Sequence, residues 1–298
     1  MSDTRSVLAG NVSYLTDIEG DLRTLSAYKI TGTEAAQYAS AAQSALDRLD
    51  TSASSLSTAL LSISSSAIGP VLDQLSLEAT SEFENLVSAL NTSSAGRSLF
   101  AGVATDRGAL APADDILTDL RAAVAGALSP EDIKAAVDTW FDDPTGFRAS
   151  SYTGSDISLA PFQVSEDEQI PIDLKADDAV FRDLLKSTAL AALAADASFG
   201  LPTSSQQELL TTAGIDLLQA KTHLTATQAN LGAAEARLDT IATRNAARNV
   251  SLEFAKGALL QADPYDTATQ LEAVQFQLQS LYTITSRMSD LSLVNFIR

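Results

Sequence analysis

Hydrophobic residues in the second half of the chain repeat every seven positions. Between residues 210 and 241 leucine occupies five successive heptad positions, and three residues after each comes a residue that is mostly small. The leucines are Leu210, Leu217, Leu224, Leu231 and Leu238, and the following residues are Ala213, Ala220, Thr227, Ala234 and Ile241. A period of 3.5 residues is typical of a long helix that packs a narrow seam against another helix. The pattern therefore predicts a helix that needs a closely approaching partner.

The first half of the chain carries the same period. Leucines seven residues apart predict a helix over residues 4–29, and Thr31-Gly32-Thr33 is expected to interrupt it. A second run predicts another helix, with heptad members at Ala35, Ala42, Leu49, Leu56 and Ile63. Its serine-rich part, residues 51–66, leaves a flexible linker as the alternative. Gly69-Pro70 is expected to kink or end that helix, and the pattern resumes from Leu72 to Ala89.

Residues 98–203 lack the heptad and predict a small mixed domain. Short helices are expected after Pro112, after a Ser129 cap, and from Asp177 or Asp178 to about residue 195. Strands are expected at residues 98–102, 147–152, 157–159, 162–164 and 170–174, the last at a sheet edge because it contains Pro171. The fold class that follows is mainly α. Long antiparallel coiled-coil-like helices come from both chain halves, and a small mixed α/β domain is inserted between them.

The last helix is expected to follow a break at residues 262–266, after a long helix that starts near Thr203 and continues toward Lys256. Its apolar side would be exposed in a soluble monomer, which is unusual. We therefore expect contacts between subunits at its apolar positions, namely Leu271, Val274, Leu278, Leu281, Leu291, Leu293 and Phe296. The predicted division has four parts. These are residues 1–97 and 204–262 as the two halves of a helical core, 98–203 as the insert, and 263–298 as a terminal assembly helix.

Charge and composition narrow the classes of partner. The 298 residues carry a net charge of −19 and contain no cysteine. An acidic chain repels phosphate backbones and anionic headgroups, so neither nucleic acid nor a membrane surface is an expected partner. The absence of cysteine excludes disulfides, thiol nucleophiles and thiolate metal sites. The N-terminus lacks the cationic and apolar parts of a cleavable signal peptide, and no apolar run reaches the ~20 residues of a membrane span.

Candidate chemistry is sparse. His223 is the only histidine, and a lone base needs partners from elsewhere in the fold. Acidic pairs and triplets stand at residues 114–115, 142–143, 166–168 and 177–178, without the spacing of a calcium loop. Two of them stand at predicted helix starts, where acids complement the helix dipole. We predict no catalytic, cofactor-binding or metal-binding residues and expect a protein that is not an enzyme.

Several stretches together resemble the flagellin family of bacterial flagellar axial proteins. They are Ser98-Leu99-Phe100-Ala101-Gly102, Tyr152-Thr153-Gly154, Leu231-Gly232-Ala233-Ala234-Glu235-Ala236-Arg237-Leu238 and the ending from Leu291 to Arg298. Within the family the small insert and the ending are most similar to hook-associated protein 3 of the hook–filament junction. The resemblance covers nearly the whole chain. It implies an antiparallel helical core, an outward middle domain and terminal segments that form an inner tube.

The resemblance also implies partners and a location. The expected partners are flagellin, hook-associated protein 1, copies of the chain in a helical lattice, and an export chaperone. The expected location is the extracellular flagellum, reached through the flagellar type III apparatus. Family members usually begin with a helical segment upstream of the match to residues 6–28, and that segment is expected to be missing here. The alternatives are a flagellin that builds the filament itself and a coiled-coil adaptor unrelated to flagella.

Overall fold

The computed structural model describes residues 2–64, 67–260 and 264–296, with side chains at residues 13–64, 67–260, 269 and 271–288. The chain is mainly helical, as the sequence predicts. The helices are α1 (Ser2–Leu61), α2 (Gly69–Leu90), α3 (Ala113–Val124), α4 (Pro130–Asp142), α5 (Phe147–Ser150), α6 (Ala179–Leu193), α7 (Thr203–Leu260) and α8 (Pro264–Phe296). Two antiparallel hairpins accompany them, β1 (Ser93–Ser94) with β2 (Arg97–Ser98), and β3 (Phe162–Gln163) with β4 (Gln169–Ile170).

The chain divides into two compact units. The larger unit holds residues 25–245, and the smaller holds residues 1–24 and 246–298. Within the smaller unit, Glu19 of α1 forms a 3.0 Å ion pair with Lys256 of α7. Ile18, beside that pair in the chain, is buried. A short stretch of α1 is thus joined to the end of α7 by one apolar and one ionic contact.

In the larger unit α1 and α7 lie antiparallel. Asp47 of α1 accepts a 3.0 Å hydrogen bond from Gln228 of α7. Three residues further along α1, Asp50 pairs with Lys221, seven residues earlier on α7. Because residue numbers rise on one helix while they fall on the other, the two helices run in opposite directions. The two halves of the chain therefore supply each other's partner, as the heptads predict.

The predicted seam of α7 is the buried face of that helix. All five heptad leucines from Leu210 to Leu238 are buried, and so are Ala213, Ala220 and Ile241. Small residues bring α1 close, because a methyl group built on Gly214 would lie 3.0 Å from Cβ of Leu60 and 3.2 Å from Cγ of Leu61. The leucines and the small residues of α7 thus pack closely against α1, and no space remains for a larger residue at Gly214.

The expected interruption at Thr31-Gly32-Thr33 is wrong, because α1 continues through it. Both threonines bond within the helix, with Thr31 donating to the Ala27 carbonyl and Thr33 to the Lys29 carbonyl. Glycine in a helix costs only about 1 kcal/mol relative to alanine. The buried seam residues Leu25 and Ala35 on either side outweigh that local cost.

The serine-rich stretch is helical rather than a linker as far as Leu61. Its hydroxyls donate back to the helix, as Ser54 does to the Asp50 carbonyl at 2.6 Å, while Leu56 and Leu60 are buried. The expected kink or end of that helix at Gly69-Pro70 is wrong, because α1 already ends at Leu61 and Gly69 begins α2. Pro70 lies in the first turn of α2, where its missing N–H has no helical partner to lose.

The segment between α2 and α7 packs its helices around an apolar core. Helix α4 begins at its predicted cap, since the Ser129 hydroxyl accepts a 3.1 Å hydrogen bond from the Asp132 N–H. Helix α6 follows Asp178, but the Asp178 carboxylate does not cap the first turn of that helix. It accepts a 2.8 Å hydrogen bond from the Lys175 N–H instead. Ser76 of α2 donates to the carbonyls of Ala191 and Ala192, which lie at the end of α6. One buried hydroxyl thereby satisfies carbonyls that a helix end leaves unpaired.

Three of the five predicted strands are wrong. Residues 147–152 contain helix α5, since Gly146 turns the chain so tightly that a methyl group there would lie 2.0 Å from the Trp140 carbonyl oxygen. Residues 157–159 form a loop. The strand predicted at 98–102 is absent beyond its first residue, because β2 ends at Ser98. Within the rest of that range, Ala101 forms a separate antiparallel bridge with Lys175. The strand at 162–164 is confirmed as β3, whereas of the strand predicted at 170–174 only Ile170 lies in β4. The predicted break at 262–266 lies partly outside the described residues, and α8 begins at Pro264.

Candidate assembly surface

Helix α8 presents an apolar stripe to solvent. Leu271, Val274, Leu278 and Leu281 follow one another at spacings of three and four residues, so they share one helix face. Each of the four is between 49% and 59% exposed. Every side chain from residue 271 to 288 is exposed, so the stripe has no cover in the described part of the chain. Such a stripe is typical of a surface completed by another molecule.

The stripe is also nearly free of charge. Between Ala273 and Ser286 the chain has no charged residue, although its net charge is −19. Uncharged Gln275 and Gln277 stand where coiled coils often carry charged residues that select a partner. Two surfaces of this kind can approach without the repulsion that opposes contact between acidic proteins.

Three of the seven predicted inter-subunit contact residues have side chains that the structure does not describe. Leu291, Leu293 and Phe296 belong to α8, but their side chains lie outside the described residues. The heptad template also passed over Tyr282, which is 75% exposed and lies one turn after Leu278. The i to i+4 spacing from Leu278 is the signal that could have included it.

His223 stands at the rim of a polar cavity of about 190 Å³ between α4, α6 and α7. Its Nδ1 lies 3.9 Å from an Asp183 carboxylate oxygen, and its ring is well exposed. Ser187, also in the lining, donates its hydroxyl to the Asp183 carbonyl of its own helix. These residues form no nucleophile–base pair in which the serine hydroxyl is free to attack a substrate.

Two lysines and their carboxylates hold the walls of that cavity together. Lys134 pairs with Asp216 at 2.8 Å and Asp138 at 3.1 Å, and Lys186 pairs with Asp142 at 3.3 Å. Burial lowers the pKa of Lys134, but the hydrogen bonds to Asp216 and Asp138 outweigh it and raise that pKa above its usual value. The network ties α4 to α6 and α7. No grouping of three acidic or histidine side chains suited to a metal ion occurs among the described residues.

The acidic clusters at 166–168 and 177–178 also contain structural ion pairs. Asp177 is buried between Arg148, whose Nε donates to it at 2.6 Å, and Arg182 at 3.5 Å. Glu168 accepts from Arg244 and lies 3.5 Å from Arg237, so the hydrogen bond to Arg244 holds the pKa of Glu168 below its usual value. These contacts fasten the insert internally and to α7, as the structural interpretation of the acidic pairs expects.

The two insert motifs noted in the sequence lie against each other. The Ser155 N–H donates to the Ala101 carbonyl at 2.9 Å, and the Thr153 N–H donates to the Ala109 carbonyl. Gly102 has a φ of +59°, and a methyl group on it would lie 2.5 Å from the Ile157 carbonyl oxygen. The motif after the long helix and the motif around Tyr152 therefore form one tightly packed junction.

Residues 215–297 match the family described as the bacterial flagellin C-terminal helical region. The match runs from Ile215 of α7 to the end of α8, and it confirms the resemblance to the flagellin family. It also places the exposed apolar stripe inside the flagellin region. No curated protein matches the chain.

A solved structure from Vibrio parahaemolyticus, described as that of a putative flagellar hook-associated protein, shares the fold. It superposes with a TM-score of 0.59 at 14% sequence identity, over 82% of this chain and 95% of that one. At this identity the likeness concerns the fold alone. No helix in the described parts of the chain is long and apolar enough to cross a membrane.

Proposed function

We propose that the protein is a structural subunit of the bacterial flagellum, located at the junction between hook and filament, and that it acts by assembly without catalysis. The exposed, uncharged stripe of α8 within the flagellin region is the observation that carries the proposal. The Vibrio protein that shares the fold is described as a putative flagellar hook-associated protein, which supports a hook-associated role. Export through the flagellar apparatus and contact with flagellin and hook-associated protein 1 belong to the same proposal.

The stripe supplies the force for assembly. Burying an exposed leucine or valine side chain completely stabilises a contact by about 1.5–3 kcal/mol. Four such residues on one helix face, with Tyr282 beside them, give each copy an exposed apolar surface. Removing that surface from water favours association with another copy. The stripes of neighbouring copies pack against each other, and head-to-tail contacts between identical subunits extend the assembly into an open helical array, the geometry that an axial structure needs.

The location is tested by labelling. A strain deleted for its junction protein is complemented with the tagged chain, and the tag is imaged by electron microscopy on isolated flagella. We expect a single narrow band at the hook end and restored motility. Label along the whole filament would identify a filament subunit instead. Normal filaments and motility in a strain deleted for this chain's own gene would favour an adaptor unrelated to flagella.

The stripe is tested by a pair of variants on the same helix. Leu278→Glu places a charge inside the stripe, whereas Gln279→Glu places the same charge one residue further round the helix. Both positions are exposed, so neither change should alter the unfolding free energy by more than about 0.5 kcal/mol. We expect Leu278→Glu to abolish incorporation into flagella and Gln279→Glu to retain it. Equal incorporation of both variants would remove the stripe from the mechanism.

A further inference from the structure

A second uncharged surface lies at the end of the α1–α7 rod in the larger unit. From Thr51 to Leu72 the chain has no charged residue, which is a long interval for a chain with 57 charged residues among 298. Exposed apolar side chains are concentrated there and on the facing part of α7. They are Leu61, Ile68, Val71, Ile215 and Leu218, between 43% and 63% exposed, and together we call them the rod-end patch.

The members of the rod-end patch come from elements that meet. The side chain of Leu61 lies against Gly214 of α7, next to Ile215 and one turn before Leu218. The Gln207 side chain of α7 donates to the Ser64 carbonyl at 3.0 Å, and the Ala67 N–H donates to the same carbonyl at 2.9 Å. Ser64 and Ala67 are thereby held close to the start of α7, and Ile68 and Val71 follow Ala67 in the chain.

One charge beside the patch is neutralised, because the carboxylate of Asp216, between Ile215 and Leu217, is paired with Lys134 at 2.8 Å. The cavity network therefore draws this acidic group toward the insert. Asp73, two residues after Val71, is exposed and bounds the patch on α2. The uncharged interval before it is rich in serine and threonine, which can form hydrogen bonds without adding charge.

We propose that the rod-end patch of one copy packs against the rod-end patch of a second copy, in addition to the contacts that α8 makes. Two copies with a charge of −19 repel each other wherever their acidic surfaces meet, so an uncharged apolar surface is where they associate at least cost. The patch belongs to the rod and α8 to the terminal unit, so each copy has two separate surfaces. This inference rests on the proposed assembly function and assigns a second site to it.

Cross-linking tests the patch directly, because the chain has no cysteine of its own. Leu218→Cys places a thiol in the patch, Leu278→Cys places one in the α8 stripe, and Leu128→Cys places one at an 86% exposed position of the insert. The full-length variants are oxidised under assembly conditions and separated on a non-reducing gel. We expect disulfide-linked dimers for Leu218→Cys and Leu278→Cys, and only background dimers for Leu128→Cys.

The outcomes separate the two surfaces. Dimers from Leu278→Cys with only background from Leu218→Cys would overturn the rod-end patch and leave the assembly function standing. Dimers from Leu218→Cys alone would keep the patch and remove the stripe. Background from both would overturn self-assembly through either surface. Leu218→Glu gives a second measurement, since we expect it to raise the concentration for half-association in light scattering by about tenfold or more. Leu128→Glu should leave that concentration unchanged.

Discussion

The Tyr38 hydroxyl of α1 donates a 2.6 Å hydrogen bond to the carbonyl of Leu99, which lies 61 residues further along the chain. The same ring packs against Phe162 of β3, with ring centroids 5.8 Å apart. Tyr38 occupies a heptad position and is buried. One seam residue of the rod thus holds both the segment after β2 and the second hairpin of the insert.

Tyr38 should make stability depend on alkaline pH. Burial raises the pKa of Tyr38 from 10.0 to about 12, with Asp173 adding to the rise and Arg97 opposing it. Because the folded pKa lies above the unfolded one, this contribution is fully present below pH 10 and is lost as the pH rises through about 12. We expect the stability advantage of the wild type over Tyr38→Phe to fall by roughly 1.4 kcal/mol per pH unit in that window. Urea unfolding of both proteins between pH 8 and 11.5 measures it, and parallel pH curves would contradict the assignment.

Two neighbouring leucines of α7, one on its buried seam and one on its solvent face, allow the contribution of the seam to stability to be measured. Leu217 is fully buried, whereas Leu218 is 53% exposed. Removing a buried leucine side chain costs about 2–5 kcal/mol through lost transfer energy and a residual cavity. We expect Leu217→Ala to lower the unfolding free energy by that amount and Leu218→Ala by no more than about 0.5 kcal/mol. Similar losses in denaturant unfolding for both variants would place the seam elsewhere.

Alanine substitutions at Gly102 and Gly200 distinguish the cost of backbone strain from the cost of steric crowding. Both have a φ of +59°, but a methyl group on Gly102 would lie within 2.7 Å of two carbonyl oxygens, while nothing lies within 4 Å of one on Gly200. Left-handed strain alone costs about 1–2 kcal/mol in Gly200→Ala. We expect Gly102→Ala to cost a further 1–3 kcal/mol, roughly the penalty of overpacking, when the melting of both variants is compared with the wild type. An equal cost at both positions would show that the junction of the two insert motifs can relax.

Asp177 should be the ionic group whose loss the fold tolerates least. Its side chain is 4% exposed and bonds to Arg148 and Arg182. Breaking a fully buried pair costs about 3–5 kcal/mol, and the lower figure applies here because the Arg148 side chain is 45% exposed and stays hydrated after its partner is lost. We expect a loss of this size for Asp177→Ala, measured by chemical unfolding. The exposed pair of Glu34 and Arg97 is the control, and Glu34→Ala should cost no more than about 1 kcal/mol. The assignment fails if the two losses are the same.

The long helices and their buried faces could be predicted, because one seven-residue period persisted over many residues. The α7 leucines and the α1 run from Ala35 to Leu56 are both buried, since each heptad repeats the same side of a helix and small errors do not accumulate. Short segments could not be predicted this way. Residues 147–152 read as a strand, yet Phe147 begins a helix because its ring stacks on Phe141 at 5.0 Å. That contact depends on a turn at Gly146, which a periodicity argument does not include.

The sequence alone determined that both halves of the chain form long helices, that their seams match, and that α8 has an apolar stripe without charge. These features are periodic or compositional, so they depend on no particular three-dimensional contact. Only the tertiary structure decided that α1 passes through Thr31–Thr33, that Asp177 and Glu168 hold the insert, and that Leu61 meets Gly214 beside Leu218. Each of these depends on residues far apart in the chain, where burial and pairing outweigh local preference.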